Sequence, residues 1–159
     1  MISRSVLTIV VLLGLASAAI AGDTDWLRSV YGKPAVTRGE VLIAAALFAD
    51  DAHWTADAGA ALKLLEARRV VDAREAGDLA RTATRGFGCT VFSRALKIRG
   101  GVMMRITGES GRYAYRELVL HGMIPDGPSH LALTGDELAG LLTGASHYQE
   151  TGAVRPPGM

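Results

Sequence analysis

Val36-Thr37-Arg38-Gly39-Glu40-Val41-Leu42-Ile43-Ala44-Ala45-Ala46-Leu47-Phe48 is the stretch whose reading decides the fold class. Thr37 and Glu40 have the spacing of a capping box, in which the threonine oxygen accepts from a first-turn amide and the glutamate reaches back to the cap. Val41, Leu42, Ala45, Phe48 and Ala49 follow at helical spacing, with Ile43 and Leu47 filling other faces. A helix apolar on so many sides is predicted to lie at the centre of a core. Asp72-Ala73-Arg74-Glu75 repeats the capping pattern ahead of a stripe of Ala76, Leu79, Ala80 and Ala83. Thr134-Gly135-Asp136-Glu137 does so ahead of Leu138, Leu141, Leu142 and Ala145.

Three more helices fit between these starts: Ala56 to Arg69, a short one around Val91, Phe92, Ala95 and Leu96, and Arg112 to His121. Gly86-Phe87-Gly88 is expected to interrupt the pattern, Gly100-Gly101 and Gly122 to end helices, and residues 22–36 to be irregular. Val102 to Ile106 fits a buried strand or a helical turn equally. The expected class is mainly α, with about six short helices stacked as helix pairs.

Upstream, Arg4, the apolar run Val6 to Leu15 and Ala19-Ile20-Ala21 have the three parts of a secretory signal peptide cut before Gly22. The run is too short for an ordinary membrane span, which needs about 20 apolar residues. The expected organisation is therefore a signal peptide at 1–21, one helical domain at 22–148 and a flexible tail at 149–159. The chain has 159 residues with 17 basic and 16 acidic side chains. Arg4 is the only charge in the leader, so the remaining 138 residues hold 16 of each sign. A neutral domain is not a nucleic-acid binder of the electrostatic kind. The expected location is the periplasm or the exterior, with no stable transmembrane span after cleavage. Cys89, the single cysteine, has apolar neighbours in Phe87, Val91 and Phe92 and is expected to be buried.

The capped helices belong to a recurring layout of helix, hydrophobic exit, loop and capped helix. It is clearest from Tyr113 to Leu142, is degenerate from Leu62 to Ala83 with Asp72 to Glu75 as its box, and is truncated from Val36 to Phe48. This layout resembles the S-layer homology domain of bacterial cell envelopes, whose second helix opens on a Thr-Arg-Ala-Glu-like motif. Thr37-Arg38-Gly39-Glu40 matches three of the four positions, Thr134 and Glu137 keep two, and Gly122-Met123-Ile124 is similar to the family's Gly-Ile-Ile exit. The family's long loop with its Phe and Pro has no counterpart. The resemblance implies that the motif arginine, here Arg38, helps to bind a cell-wall polymer.

The densest polar constellation is Arg105 with Arg112, Tyr113, Arg116 and Glu117. On a helix Arg112 and Arg116 share a face, and paired guanidinium groups beside a phenol suit an anionic sugar polymer or a carboxylate. The alternative is that an arginine pairs with Glu117 or Glu109 and the tyrosines pack. The candidate binding residues are thus Arg38, Arg105, Arg112, Tyr113 and Arg116. His53 near Asp50, Asp51 and Asp57 invites acid–base chemistry, but no ligand spacing implies a metal, and no motif implies a cofactor. The readings that remain are an exported non-catalytic envelope protein that binds wall polymer or another envelope protein, a small periplasmic enzyme using His53 or Glu40, and a structural subunit of an envelope assembly.

Overall fold

The computed structural model describes residues 25–49, 55–98 and 111–151. The segment 1–21 expected to be a signal peptide, His53 with Asp50 and Asp51, Arg105 and the Val102 to Ile106 run lie outside them. Seven helical segments occur among the described residues: α1 (25–30), α2 (Arg38–Ala49), α3 (Ala58–Ala67), α4 (Ala73–Ala76), α5 (Arg85–Ala95), α6 (Gly111–Leu120) and α7 (Gly135–Thr151). The class is mainly α. Helix α2 packs on α3, and α5 on α6, as two pairs; α2 also crosses α5 and α7. One core joins them, with Leu42, Leu65, Phe92, Leu118, Leu138 and Leu141 fully buried. No helix among the described residues is long and apolar enough to cross a membrane.

The three helices that begin on a threonine, α2, α5 and α7, are organised around a ring. The amide of Val36 donates to the carbonyl of Leu133, that of Leu133 to Ala83, and that of Ala83 to Val36, each at 2.9 Å. These three residues immediately precede Thr37, Thr84 and Thr134. Every donor and acceptor in the ring is satisfied inside the core, as buried backbone requires. Short bridges extend the contact on each side: Arg38 donates to Arg81, Arg85 to Leu131 and Gly135 to Lys33, all at 2.9 Å. The chain is therefore three units in cyclic order, each clasping the segment that leads into the next capped helix.

The middle unit corrects the sequence reading. Gly86-Phe87-Gly88 lies within α5, and Thr84, whose side chain accepts from the amide of Phe87, is its cap. The glycines serve close approach here. A Cβ on Gly86 would stand 3.3 Å from the carbonyl oxygens of Gly111 and Ser129, and one on Gly88 would meet Leu133 at 2.8 Å. Asp72 does cap a helix, accepting from the amide of Glu75 at 2.7 Å, but α4 stops at Ala76 and never reaches Leu79 or Ala83. It stops because Gly77 takes φ 60°, ψ −140°, a conformation that residues with a Cβ avoid. Two smaller corrections concern the ends. Residues 25–30 are helical, and α7 continues past Gln149 to Thr151, where a flexible tail was expected.

The three hydrophobic exits share one geometry. The amides of Val70, Ile98 and Met123 donate back to Leu65, Ser93 and Leu118 at 2.9 Å, closing the 6→1 bond of a Schellman motif. The residue before each takes a left-handed conformation: Arg69 (φ 58°), Lys97 (φ 52°) and Gly122 (φ 65°).

Candidate functional site

The boxes themselves account for the first candidate, Arg38. In α2 the carboxylate of Glu40 accepts from the amide of Thr37 at 2.8 Å and binds Lys33 through its other oxygen. In α7 Glu137 accepts from the amide of Thr134 at 3.0 Å and pairs with Arg85. In α5 the corresponding position is Phe87, and the guanidinium of Arg38 lies 4.8 Å from its ring centroid, within cation–π range. The fourth box residue of α5 thus holds the arginine of α2, and that of α7 holds the arginine of α5. For α2 the equivalent partner position is Gly135, which has no side chain, and Lys33 supplies the cation.

Arg38 also donates to the carbonyls of Ala76 at 2.8 Å and Glu75 at 3.1 Å, closing the end of α4. Arg85 is similarly enclosed, its terminal nitrogen 2.5 Å from where a Cβ of Gly127 would be. The hydrogen bond to Glu137 holds its pKa above the usual guanidinium value despite burial. Both motif arginines are therefore internal ties between units. Arg38, taken from the sequence as a ligand residue, has its hydrogen bonds directed inward. Arg85 occupies the matching position in α5, an equivalence that the sequence reading missed because Phe87 replaces the box glutamate.

The remaining described candidates lie at the start of α6. Arg112 and Arg116 are both exposed and line one groove of about 480 Å³, opposite Asp126, Ser129 and His130 of the loop that leads to α7. Among the described residues neither arginine is in an ion pair. Asp126 is occupied in its own turn, accepting from the amide of Gly127 at 2.8 Å. Glu117, the acidic partner considered from the sequence, binds His121 at 3.4 Å on the same helix. Tyr113 packs partly buried against the core, as in the alternative reading of the tyrosines, and it is Tyr115 that lines the groove. The hydroxyl of Tyr115 donates to the carbonyl of Pro125 at 2.7 Å, which ties α6 to the loop and fixes the groove floor.

Compared with family models, with curated proteins and with solved structures, the chain finds no match. The reading of the site therefore rests on its own chemistry. Cys89 is fully buried and its thiol is pushed up to about 12, chiefly by burial, so it is a core residue with no thiolate to attack a substrate. Asp57, the described member of the His53 group, accepts from the amides of Gly59 and Ala60 and caps α3. Among the described residues no three His, Cys, Asp or Glu side chains converge to hold a metal ion.

A second groove, of about 700 Å³, is apolar and lies between α1 and α7, lined by Leu27, Tyr31, Phe48 and Leu142 among others. Of its described polar residues, Arg28 pairs with Asp25 and the hydroxyl of Thr143 donates to the carbonyl of Ala139. The polar groove between α6 and the 126–130 loop is the better candidate for a ligand that carries charge.

Proposed function

We propose that the chain is an exported, non-catalytic module of the bacterial cell envelope that binds a wall polymer. One observation carries the reading: two exposed arginines without ion-pair partners among the described residues face the same open groove. Arginine is the side chain best suited to carboxylate and phosphate, and wall polymers supply such groups. The resemblance to the S-layer homology domain rests on Thr37-Arg38-Gly39-Glu40, whose first three positions Thr84-Arg85-Gly86 repeats. Arg38 and Arg85 then act as ties within the module, and ligand contact falls to α6. The leader-like segment at 1–21 motivates the envelope location.

Co-sedimentation of residues 22–159 with purified sacculi tests the proposal. Binding that falls when Arg112 and Arg116 are both changed to Gln is the expected result. Full recovery of the unmodified protein in the supernatant overturns it.

A further inference from the structure

Arg112 and Arg116 stand about one helical turn apart on α6, about 6 Å along the helix axis, and both line the same groove. A single small anion offers the two arginines one group to share. A linear chain whose acidic groups recur at short intervals satisfies both at once, and the second contact is then intramolecular. The opposite wall adds Ser129, whose carbonyl is already used by the amide of Gly86 at 2.8 Å, and His130, which is exposed. Among the described residues of the wall, the one carboxylate, Asp126, holds its own turn.

The groove also says what the ligand lacks. The one aromatic residue among its described lining, Tyr115, is 2% exposed, with its hydroxyl directed at Pro125. Nucleic-acid grooves combine cations with exposed rings on which bases stack, so a polyanion read here is read through its acidic groups. Phosphodiester or phosphate groups suit two guanidinium groups, a hydroxyl and an imidazole better than uncharged sugars do.

Resting on the wall-polymer reading above, we infer that this groove takes a linear phosphate-bearing polymer, with Arg112 and Arg116 engaging successive phosphates of one chain. The probes are inorganic phosphate, linear polyphosphate and oligodeoxythymidylate, titrated by calorimetry into the leaderless protein. The expected result is that polyphosphate binds at least tenfold more tightly, per phosphate, than inorganic phosphate. Arg112→Gln and Arg116→Gln should each remove most of that advantage, while Arg74→Gln, exposed on α4 and outside the groove, leaves it unchanged. Both variants replace exposed side chains, and retention of the helical circular dichroism shows that they fold. Equal binding of phosphate and polyphosphate, no binding of either, or an unchanged affinity in both arginine variants overturns the inference. Tighter binding to oligodeoxythymidylate than to polyphosphate overturns it in favour of a nucleic acid. The two readings separate cleanly: sacculus binding without polyphosphate binding removes this inference and keeps the wall module, whereas polyphosphate binding without sacculus binding does the reverse.

Discussion

Gly135→Ala is the sharpest test of the three-unit ring. In a helix the change from glycine to alanine ordinarily gains up to about 1 kcal/mol. At Gly135 the new Cβ would lie 2.0 Å from the carbonyl oxygen of Val30 and 3.0 Å from the amide nitrogen of Lys33, where real Cβ atoms do not come within 3.0 Å. Both obstacles are backbone, so no side-chain rotation relieves them. Relief requires the start of α7 and the 30–33 segment to part by about an ångström. That movement stretches the bonds from Gly135 to Lys33 (2.9 Å) and from Gly32 to the side chain of Asp136 (3.1 Å). Two hydrogen bonds at about 1 kcal/mol each, plus overpacking of 1–3 kcal/mol, outweigh the propensity gain. The expected loss is about 2–4 kcal/mol, or roughly 10 °C in Tm for a chain of this size. Gly59→Ala is the control, because the nearest atoms to its Cβ are the carboxylate oxygens of Asp57 at 3.6 and 3.7 Å. It should gain about 0.5–1 kcal/mol. Urea unfolding followed by far-ultraviolet circular dichroism measures both. A Gly135→Ala protein as stable as the parent refutes the close contact between α7 and the 30–33 segment.

The tie between α5 and α7 makes a second prediction: Arg85→Met leaves Glu137, 9% exposed, without its cation and should cost about 3–5 kcal/mol in denaturant unfolding, whereas Arg85→Met with Glu137→Met recovers a large part. Relief of left-handed backbone gives a third, since Lys97→Gly at φ 52° should raise stability by about 1 kcal/mol, with Tm as the readout. The fourth concerns pH. Burial tends to raise the pKa of Glu40, but the hydrogen bond from Lys33 and the amide of Thr37 outweigh it and hold the carboxyl below its usual value of 4.5. Between the folded and unfolded pKa values the unfolded chain binds more protons, so this stabilisation is present above about pH 4.5 and is lost as pH falls through the folded value. Glu40→Gln should flatten the acid limb of stability against pH, and an unchanged limb contradicts the assignment.

Particular residues show how far the sequence could be read. Thr37 with Glu40, and Thr134 with Glu137, were legible because a capping box is local: its donors and acceptors lie within four residues. The burial of Cys89 and the class of the fold followed from equally local patterns. The middle unit was not legible as such, although Thr84-Arg85-Gly86 repeats Thr37-Arg38-Gly39, because Phe87 does through its ring what a glutamate does through its carboxylate. Gly86 and Gly88 read as breakers for the same reason: nothing in the chain's own neighbourhood reveals that Gly111 and Leu133 will press against them.

The candidate site divides along the same line. Spacing placed Arg112 and Arg116 on one face of a helix, and the structure brings both to one groove. Periodicity put Tyr115 on the inward face with Ala114 and Leu118, but only packing against the 125–130 loop brings it to the groove beside the arginines. Nor could periodicity show that Arg38 faces inward, because its partners, Glu75, Ala76 and Phe87, are distant along the chain. What the sequence by itself determined was where helices begin and which faces are apolar, because helical periodicity and capping act over a few residues. Which threonine-led segments meet, and which arginines are left to solvent, was decided by the ring of Val36, Ala83 and Leu133, whose hydrogen bonds form only when three remote segments come together.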